Sequence, residues 1–342
     1  MERTELSDLG EFKLIEKLTS KFKTYHPSTV RGVGDDAAVI KNRSGLTVVT
    51  TDLLLEGVHF DLSYFPLKHL GYKSVMVNLS DVCAMNGKTE QITVSIALSN
   101  RFSLEAVEEL YEGIRYACSY AEIDLIGGDT STSLKGLVIS VTAIGTVDEK
   151  KITYRKGAKA GDIICVSGDL GAAYTGLQLL EREKQIFIEN PDIQPDLENQ
   201  EHIVGKFLKP DARMDIVKLL AELEIVPTSM IDVSDGLSSD LLHICHHSNV
   251  GCKLFESKIP IHGDTYNMAL KFQHDPTTCA LNGGEDYELL FTIDPAELNK
   301  FTEDHNVRAI GEITDKAHGY KLISKSNNEH DLIAQGWQHM NQ

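Results

Sequence analysis

The stretch LTVVTTDLLLEGVHF (46–60) opens as a β-rich run, LTVVTTD (46–52), and reads as a strand that delivers Thr50, Thr51 and Asp52 at its end. Upstream, AAVIK (37–41) is a second β-rich run, and the turn-prone NRSG between the two predicts a hairpin. Downstream, residues 68–86 carry Val75, Leu79 and Val82 at helical spacing. QITVSIAL (91–98) then reads as a strand, 103–121 as a helix and LVISVTAIGTV (137–147) as a long strand. Ahead of all of these, EFKLIEKLTSKF (11–22) sets Phe12, Ile15, Leu18 and Phe22 at helical spacing and ends before His26-Pro27. Strands alternating with helices in this way predict an α/β fold.

The 342 residues exceed what one core usually organises, so two domains or one large α/β domain is expected. Polar and glycine residues cluster in KITYRKGAKAGD (151–162), which divides the chain into an N-terminal domain over 1–150 and a C-terminal domain over 151–342. The second half reads as a strand in DIICVSG (162–168), an irregular acidic insertion over 183–209 and a helix over 212–224. The strand SMIDVS (229–234), a helix from Gly236 and strands in LLFTI (289–293) and RAIGEI (308–313) complete it.

Lys and Arg number 33 against 51 Asp and Glu, a formal charge of −18, so the bulk field repels nucleic acid and anionic membranes. No apolar run reaches the roughly 18 residues of a spanning helix, and MERTELSDLGEF lacks the basic and apolar parts of a secretory signal, which predicts a cytoplasmic protein. The six cysteines form no CxxC pair, so neither a disulfide framework nor a thiolate zinc site is indicated.

Four segments of the first half, GVGDDAAVI (32–40), TTDLLLEGVHF (50–60), NLSDVCAMNG (78–87) and GGDTSTS (127–133), each set an Asp beside Gly, Ser or Thr and close to an apolar run. VSDG (233–236) repeats the design with Asp232 and Asp235. Each Asp alone also suits a turn or a helix cap. Together, with only Arg31 and Lys88 at the edges of the first four, they call for a shared cation, because partly dehydrated carboxylates are costly unless neutralised. Oxygen donors of this kind suit Mg2+, which shares its shell with water and phosphates, so a polyphosphate substrate held by several Mg2+ ions is expected.

Rival nucleotide motifs fail: Gly87-Lys88-Thr89 has the tail of a Walker loop but position 82 is Val, and GVGDD is only a fragment of a dinucleotide fingerprint. The pairs Gly127-Gly128 and Gly283-Gly284 allow backbone to approach a phosphate, or are simple turns. Arg155 is either a phosphate clamp across an interdomain cleft or a solvated linker charge. His59 and the sole tryptophan, Trp337, are candidates for a heteroaromatic substrate; the alternatives are a strand-end polar group and a packing anchor for the tail.

Taken in order, GEFKLIEKL, GVGDDAAVI, TTDLLLEGVHF, NLSDVCAMNG, GGDTS, YRKGAKAGD, VSGDLGAA, IDVSDGLSSDL, GGEDYELLFT and the late GW resemble the thiamine-monophosphate kinase family, within the aminoimidazole-ribonucleotide-synthetase-like superfamily. The resemblance implies a two-domain α/β (α+β) fold, with an N-terminal domain contributing to a dimer sheet or barrel and a C-terminal domain completing the active site. It implies ATP-dependent phosphorylation of thiamine monophosphate to thiamine diphosphate by a Mg2+-dependent homodimer. Carried over by position, Asp35, Thr50, Thr51, Asp52, Asp81, Asp129, Asp232 and Asp235 hold metal. Tyr111, Gly128, Asp129, Arg155 and Ser234 contact ATP, and His59, Glu285 and Trp337 contact thiamine monophosphate. Cys83 and Asn86 stand where family members often carry a small apolar residue, and Ser239 where Ala is common; none of these is a proposed ligand. The stretch 183–209 matches nothing distinctive.

Within the superfamily, a selenophosphate synthetase would need a reactive Cys near the N-terminus, and the first cysteine is Cys83. An aminoimidazole-ribonucleotide synthetase or a hydrogenase-maturation homologue would share the Asp-rich segments without the EGVHF and GGEDYELLF pair, and a non-catalytic Mg2+-nucleotide sensor would use the same carboxylates. The role of Trp337 separates on mutation. Trp337→Ala is expected to raise the KM for thiamine monophosphate several-fold while leaving the KM for ATP and the Tm nearly unchanged, whereas a packing anchor would lose Tm and keep its substrate affinity.

Overall fold

Residues 17–31, 39–40 and 45–335 are described by the computed structural model, and the chain divides into two units, Met1–Val82 with Gly87–Glu149, and Cys83–Asn86 with Lys150–Gln342. In the first, Thr29–Arg31 (β1) pairs antiparallel with Val39–Ile40 (β2). Leu46–Leu55 (β3), the helix Leu67–Ala84 (α1), Lys88–Leu98 (β4), the helix Leu104–Ala121 (α2), Asp124–Thr132 (β5) and Val138–Val147 (β6) follow. Four of these strands form a sheet in the order β3-β6-β4-β5, antiparallel except for β4 and β5.

Among the described residues, the strand pairing of the hairpin expected between 37–41 and 46–52 is not present. Val39–Ile40 pairs with β1, and β3 pairs over all ten residues with β6, from Leu46 opposite Val147 to Leu55 opposite Val138. A partner of equal length satisfies every backbone group of β3 along that edge, which a five-residue run cannot.

Strand period decides what faces inward. Ile139, Val141 and Ala143 of β6 and Ile92, Val94 and Ile96 of β4 are buried, whereas Val49 and Leu53 of β3 are 64% and 52% exposed. Helix α1 is buried almost all round, polar residues included, and Asn78 on it donates Nδ2–H to the Ser74 carbonyl and accepts the Asp52 backbone N–H. Helix α2 is capped by Ser103, whose hydroxyl accepts the Ala106 N–H.

The second unit runs Ile163–Ser167 (β7), Ala172–Glu189 (α3), Glu201–Leu208 (α4), Met214–Glu222 (α5), Ser229–Asp232 (β8) and Leu237–Ser248 (α6), then Gly251–Phe255 (β9), Gly263–Lys271 (α7), Pro276–Asn282 (α8) and Leu289–Ile293 (β10). Val307–Thr314 (β11), Tyr320–Ile323 (β12) and Glu329–Asp331 (β13) close it. Its sheet has the order β13-β12-β9-β11-β7-β10-β8. Ile164, Val166, Leu241, Leu254, Leu290 and Ile310 belong to one buried core with α6 and α8. The stretch 183–209, expected to be irregular, is helical at both ends: α3 runs on to Glu189 and α4 occupies 201–208. Ile203 and Phe207, four apart on α4, are buried, which is the amphipathic spacing that the acidic composition concealed.

All six cysteines are buried free thiols, and no helix among the described residues is long and apolar enough to cross a membrane. GGDTSTS, read as either a phosphate approach or a simple turn, lies mostly within β5, where a Cβ on Gly128 would sit 1.8 Å from the Val94 carbonyl oxygen of β4. That close approach, rather than turn geometry, demands glycine. Gly128→Ala is expected to destabilise the protein by about 2 kcal/mol or more, the cost of forcing a methyl into packed backbone, measured by thermal unfolding.

Candidate functional site

The first unit gathers Thr50, Asp52 and Asp81. Thr50 and Asp52 share the half-buried face of β3 because they are two residues apart. Asp81, a turn further along α1 than Asn78, accepts the Thr50 hydroxyl at 2.6 Å, while Asn78 accepts the Asp52 N–H at 3.0 Å. Burial, and then the neighbouring Asp81 charge, pushes the Asp52 carboxyl up to about 6. Two neighbouring, partly buried carboxylates beside a hydroxyl make a hard oxygen donor set suited to Mg2+.

Thr51 points to the other face, where its hydroxyl donates to the Val141 carbonyl and accepts from Thr142. Asp129 is also apart from this group. Asp52, Val141, Val94 and Gly128 form one row across the sheet, so Asp129, one residue beyond that row and exposed on β5, lies roughly 14 Å away at about 4.8 Å per strand. Among the described residues, no group of three or more His, Cys, Asp or Glu is assembled to hold a metal.

His59 folds back on its own strand: its Nδ1 accepts the Leu55 N–H at 3.0 Å, which puts the proton of the neutral ring on Nε2. Tyr111 is a buried face residue of α2, edge-on to Phe22, and burial pushes its hydroxyl up to about 12. It lines a cavity of about 390 Å3 with Lys17, Lys21, Glu109 and Arg115. Asp35 and Trp337 lie outside the described residues.

In the second unit, Asp232 is buried at the end of β8, and half-buried Ser234 and Asp235 follow it into the start of α6. Asp240, which sequence reasoning left without a role, holds this turn together. It is 1% exposed and accepts the backbone N–H groups of Asp235 and Gly236 at 3.2 and 3.1 Å. Burial, followed by the charges of Asp232 and Asp235, pushes its carboxyl up to about 8. The sequence signal was SSDL itself: an Asp four residues into a helix entered through glycine can fold back on the helix's free N–H groups.

Arg155 is exposed, and its carbonyl accepts the Ser248 hydroxyl. His243 on α6 is within electrostatic reach of both Arg155 and Asp235; burial first, and then the Arg155 charge, holds its ring below the ordinary value. Glu285 is half-buried in a left-handed conformation, φ 58°, and its N–H donates to the Ser234 carbonyl at 2.8 Å. A backbone hydrogen bond therefore ties the segment of Glu285 to the segment that carries Asp232, Ser234 and Asp235.

The family model described as AIR synthase related protein, N-terminal domain, matches residues 34–147, and its C-terminal counterpart matches 159–323. A thiamine-monophosphate kinase of Bacillus subtilis is 30% identical over 97% of this chain and 99% of its own, and one of Aquifex aeolicus 32% over 98% and 99%. The chain belongs to the thiamine-monophosphate kinase family. The crystal structure of the family member from Stenotrophomonas maltophilia is similar with a TM-score of 0.78 at 31% identity, covering 95% of this chain and 98% of that one. AaThiL complexed with AMPPCP and TMP is similar with a TM-score of 0.74 at 29% identity, covering 98% and 99%. The hydrogenase maturation protein HypE, at 17% identity and a TM-score of 0.73, shares the fold alone. The two-domain α/β architecture expected from the motifs is that of this family.

Asp240 generates a pH test. Its folded value of about 8 lies above the ordinary 3.8, so the neutral acid is favoured in the folded state and the stability it contributes is lost as pH rises from 3.8 through about 8. Asp240→Asn keeps an acceptor for both N–H groups and cannot ionise. In the absence of divalent cations, the Tm difference between this variant and the parent is expected to move in the variant's favour from pH 5 to pH 8.

Proposed function

We propose that the chain transfers the terminal phosphate of ATP to thiamine monophosphate, giving thiamine diphosphate, with Mg2+ at Asp52, Asp81 and Thr50. The observation that carries this reading is the apposition of Asp52 and Asp81 beside the Thr50 hydroxyl in a family of thiamine-monophosphate kinases. Mg2+ bound there supplies charge neutralisation between carboxylates and phosphates that otherwise repel.

The chain's own residues bind and orient. Asn78 fixes the backbone of Asp52, and the Thr50–Asp81 hydrogen bond fixes the carboxylate opposite. The accepting phosphate oxygen is already ionised, so no general base is required; and since no His, Ser or Cys in the sequence motifs is flanked by a base that would activate it as a nucleophile, the transfer is direct and in line, without a phosphoenzyme. In this reading Asp35, Thr51, Asp129, Asp232 and Asp235 complete the ligand set for several Mg2+ ions; Tyr111, Gly128, Asp129, Arg155 and Ser234 serve ATP; and His59, Glu285 and Trp337 serve thiamine monophosphate. His59 would present Nε2–H as a donor, since Nδ1 is engaged by Leu55. Of the proposed metal ligands, Asp35, Thr50, Thr51, Asp52, Asp81 and Asp129 belong to the N-terminal half, and Asp232 and Asp235 to the C-terminal half. A homodimer accords with the exposed Val49 and Leu53, whose sheet face a second copy would cover.

Pure protein incubated with ATP, Mg2+ and thiamine monophosphate is expected to yield thiamine diphosphate, detected by mass, and chelation of Mg2+ is expected to abolish the product. Asp81→Asn is expected to lose about 100-fold or more in kcat with a shifted Mg2+ dependence, the scale of losing one pre-organised electrostatic contact. Nucleotide binding without product would return the reading to a sensor.

A further inference from the structure

The turn that carries Glu285 is held from below by charges that no catalytic role has claimed. Gly284, Glu285 and Tyr287 all have positive φ, at 72°, 58° and 51°, two of them without the freedom of glycine. A segment of this kind persists only where its surroundings over-determine it. Burial alternates along it: Glu285 and Tyr287 are half-buried, Asp286 and Glu288 buried. Asp286 accepts the N–H groups of Gly171 and Ala173 at the start of α3, at 2.7 and 3.3 Å, where that helix has no side-chain cap of its own. Glu288 accepts the Ser167 hydroxyl at 2.6 Å and Lys206 Nζ at 2.7 Å, and pairs with Arg213.

Lys206 comes from α4, inside the acidic stretch 183–209. Burial alone would push its ammonium down, but Glu288 beside it holds it above the ordinary value. His202, one turn earlier on α4, contacts Asp169 at 3.0 Å, so the helix grips both the loop after β7 and the root of the Glu285 turn. Gly168 between them, φ 58°, leaves no room for a side chain: a Cβ there would lie 2.1 Å from Glu288 Oε1. The Tyr287 N–H donates to the Val233 carbonyl and the Val233 N–H to that of Glu288, tying the same turn to the segment that bears Ser234 and Asp235.

We infer that Lys206 is a positioning residue for thiamine monophosphate: by neutralising Glu288 under the Gly284–Glu288 turn it sets the place of Glu285, and this is the role of the 183–209 stretch. The inference rests on the proposed contact between Glu285 and the substrate. It is tested by steady-state kinetics with ATP and Mg2+ on the full chain carrying Lys206→Met, Lys206→Gln, Lys206→Arg, Glu285→Gln, or Lys206→Met with Glu285→Gln. The Met and Gln variants retain Arg213 against Glu288, and whichever of the two is folded at the assay temperature is read.

Lys206→Met is expected to raise the KM for thiamine monophosphate about 10-fold, and Lys206→Arg to return it to within about 3-fold of the parent. On the Glu285→Gln background the Lys206 substitution is expected to add nothing, since groups that act through one another are not additive. An unchanged KM in Lys206→Met with a lowered Tm, or an equal rise on both backgrounds, overturns the inference alone. An unchanged KM in Glu285→Gln overturns the Glu285 contact, and the inference with it.

Discussion

A carboxyl group loses several kcal/mol of hydration when it is buried as the anion, so it is tolerated only where donors or cations replace the water or where it takes up a proton. Both units of this chain place carboxylates in partial or complete burial, and the local structure around each is what replaces the solvent. Asp286 takes backbone N–H groups from a helix start, Asp240 takes those of its own turn, and Glu288 takes a hydroxyl and two cations. Around Asp52 and Asp81 the first carboxyl is raised by burial and by the second, Asp81 accepts the Thr50 hydroxyl, and Asn78 accepts the Asp52 backbone N–H. Carboxylates supported by many donors serve as structure. Under the proposed function, neutralising the Asp52–Asp81 pair is left to a ligand.

The frame then explains features of the fold that are otherwise arbitrary. Helix α1 tolerates Asn78 in a buried position because the amide satisfies the Asp52 N–H and bonds back to Ser74. The left-handed turn at 284–287 is held where it is because its two inward carboxylates are each engaged by groups more than 70 residues away in the chain. Such long-range anchors cost loop-closure entropy to assemble, which a rigid site can justify.

The order of secondary structure in the first half was legible from periodicity, because β3, β6 and α2 each carry a clear inward face, while α1 is apolar and buried almost all round. Pairing was not. AAVIK and LTVVTTD are neighbours in sequence, yet the strand partner of β3 lies some 90 residues on, since a match of ten residues outweighs proximity. The insertion over 183–209 misled for a different reason. Its acidic composition hid the buried Ile203 and Phe207 of α4 and the inward charge of Lys206, a residue type whose default reading is a solvated surface.

The sequence by itself determined the family, the candidate carboxylates and their hard-oxygen character, because motif identity and donor chemistry are local properties. Only the tertiary structure decided which of them share a place. Thr50 and Asp52 join Asp81 while Thr51, between them, faces away, and Asp129 sits three strands off on β5. The alternation of a strand and the lateral order of a sheet set these distances, and the second of those depends on contacts between residues far apart in the chain, which no local pattern encodes.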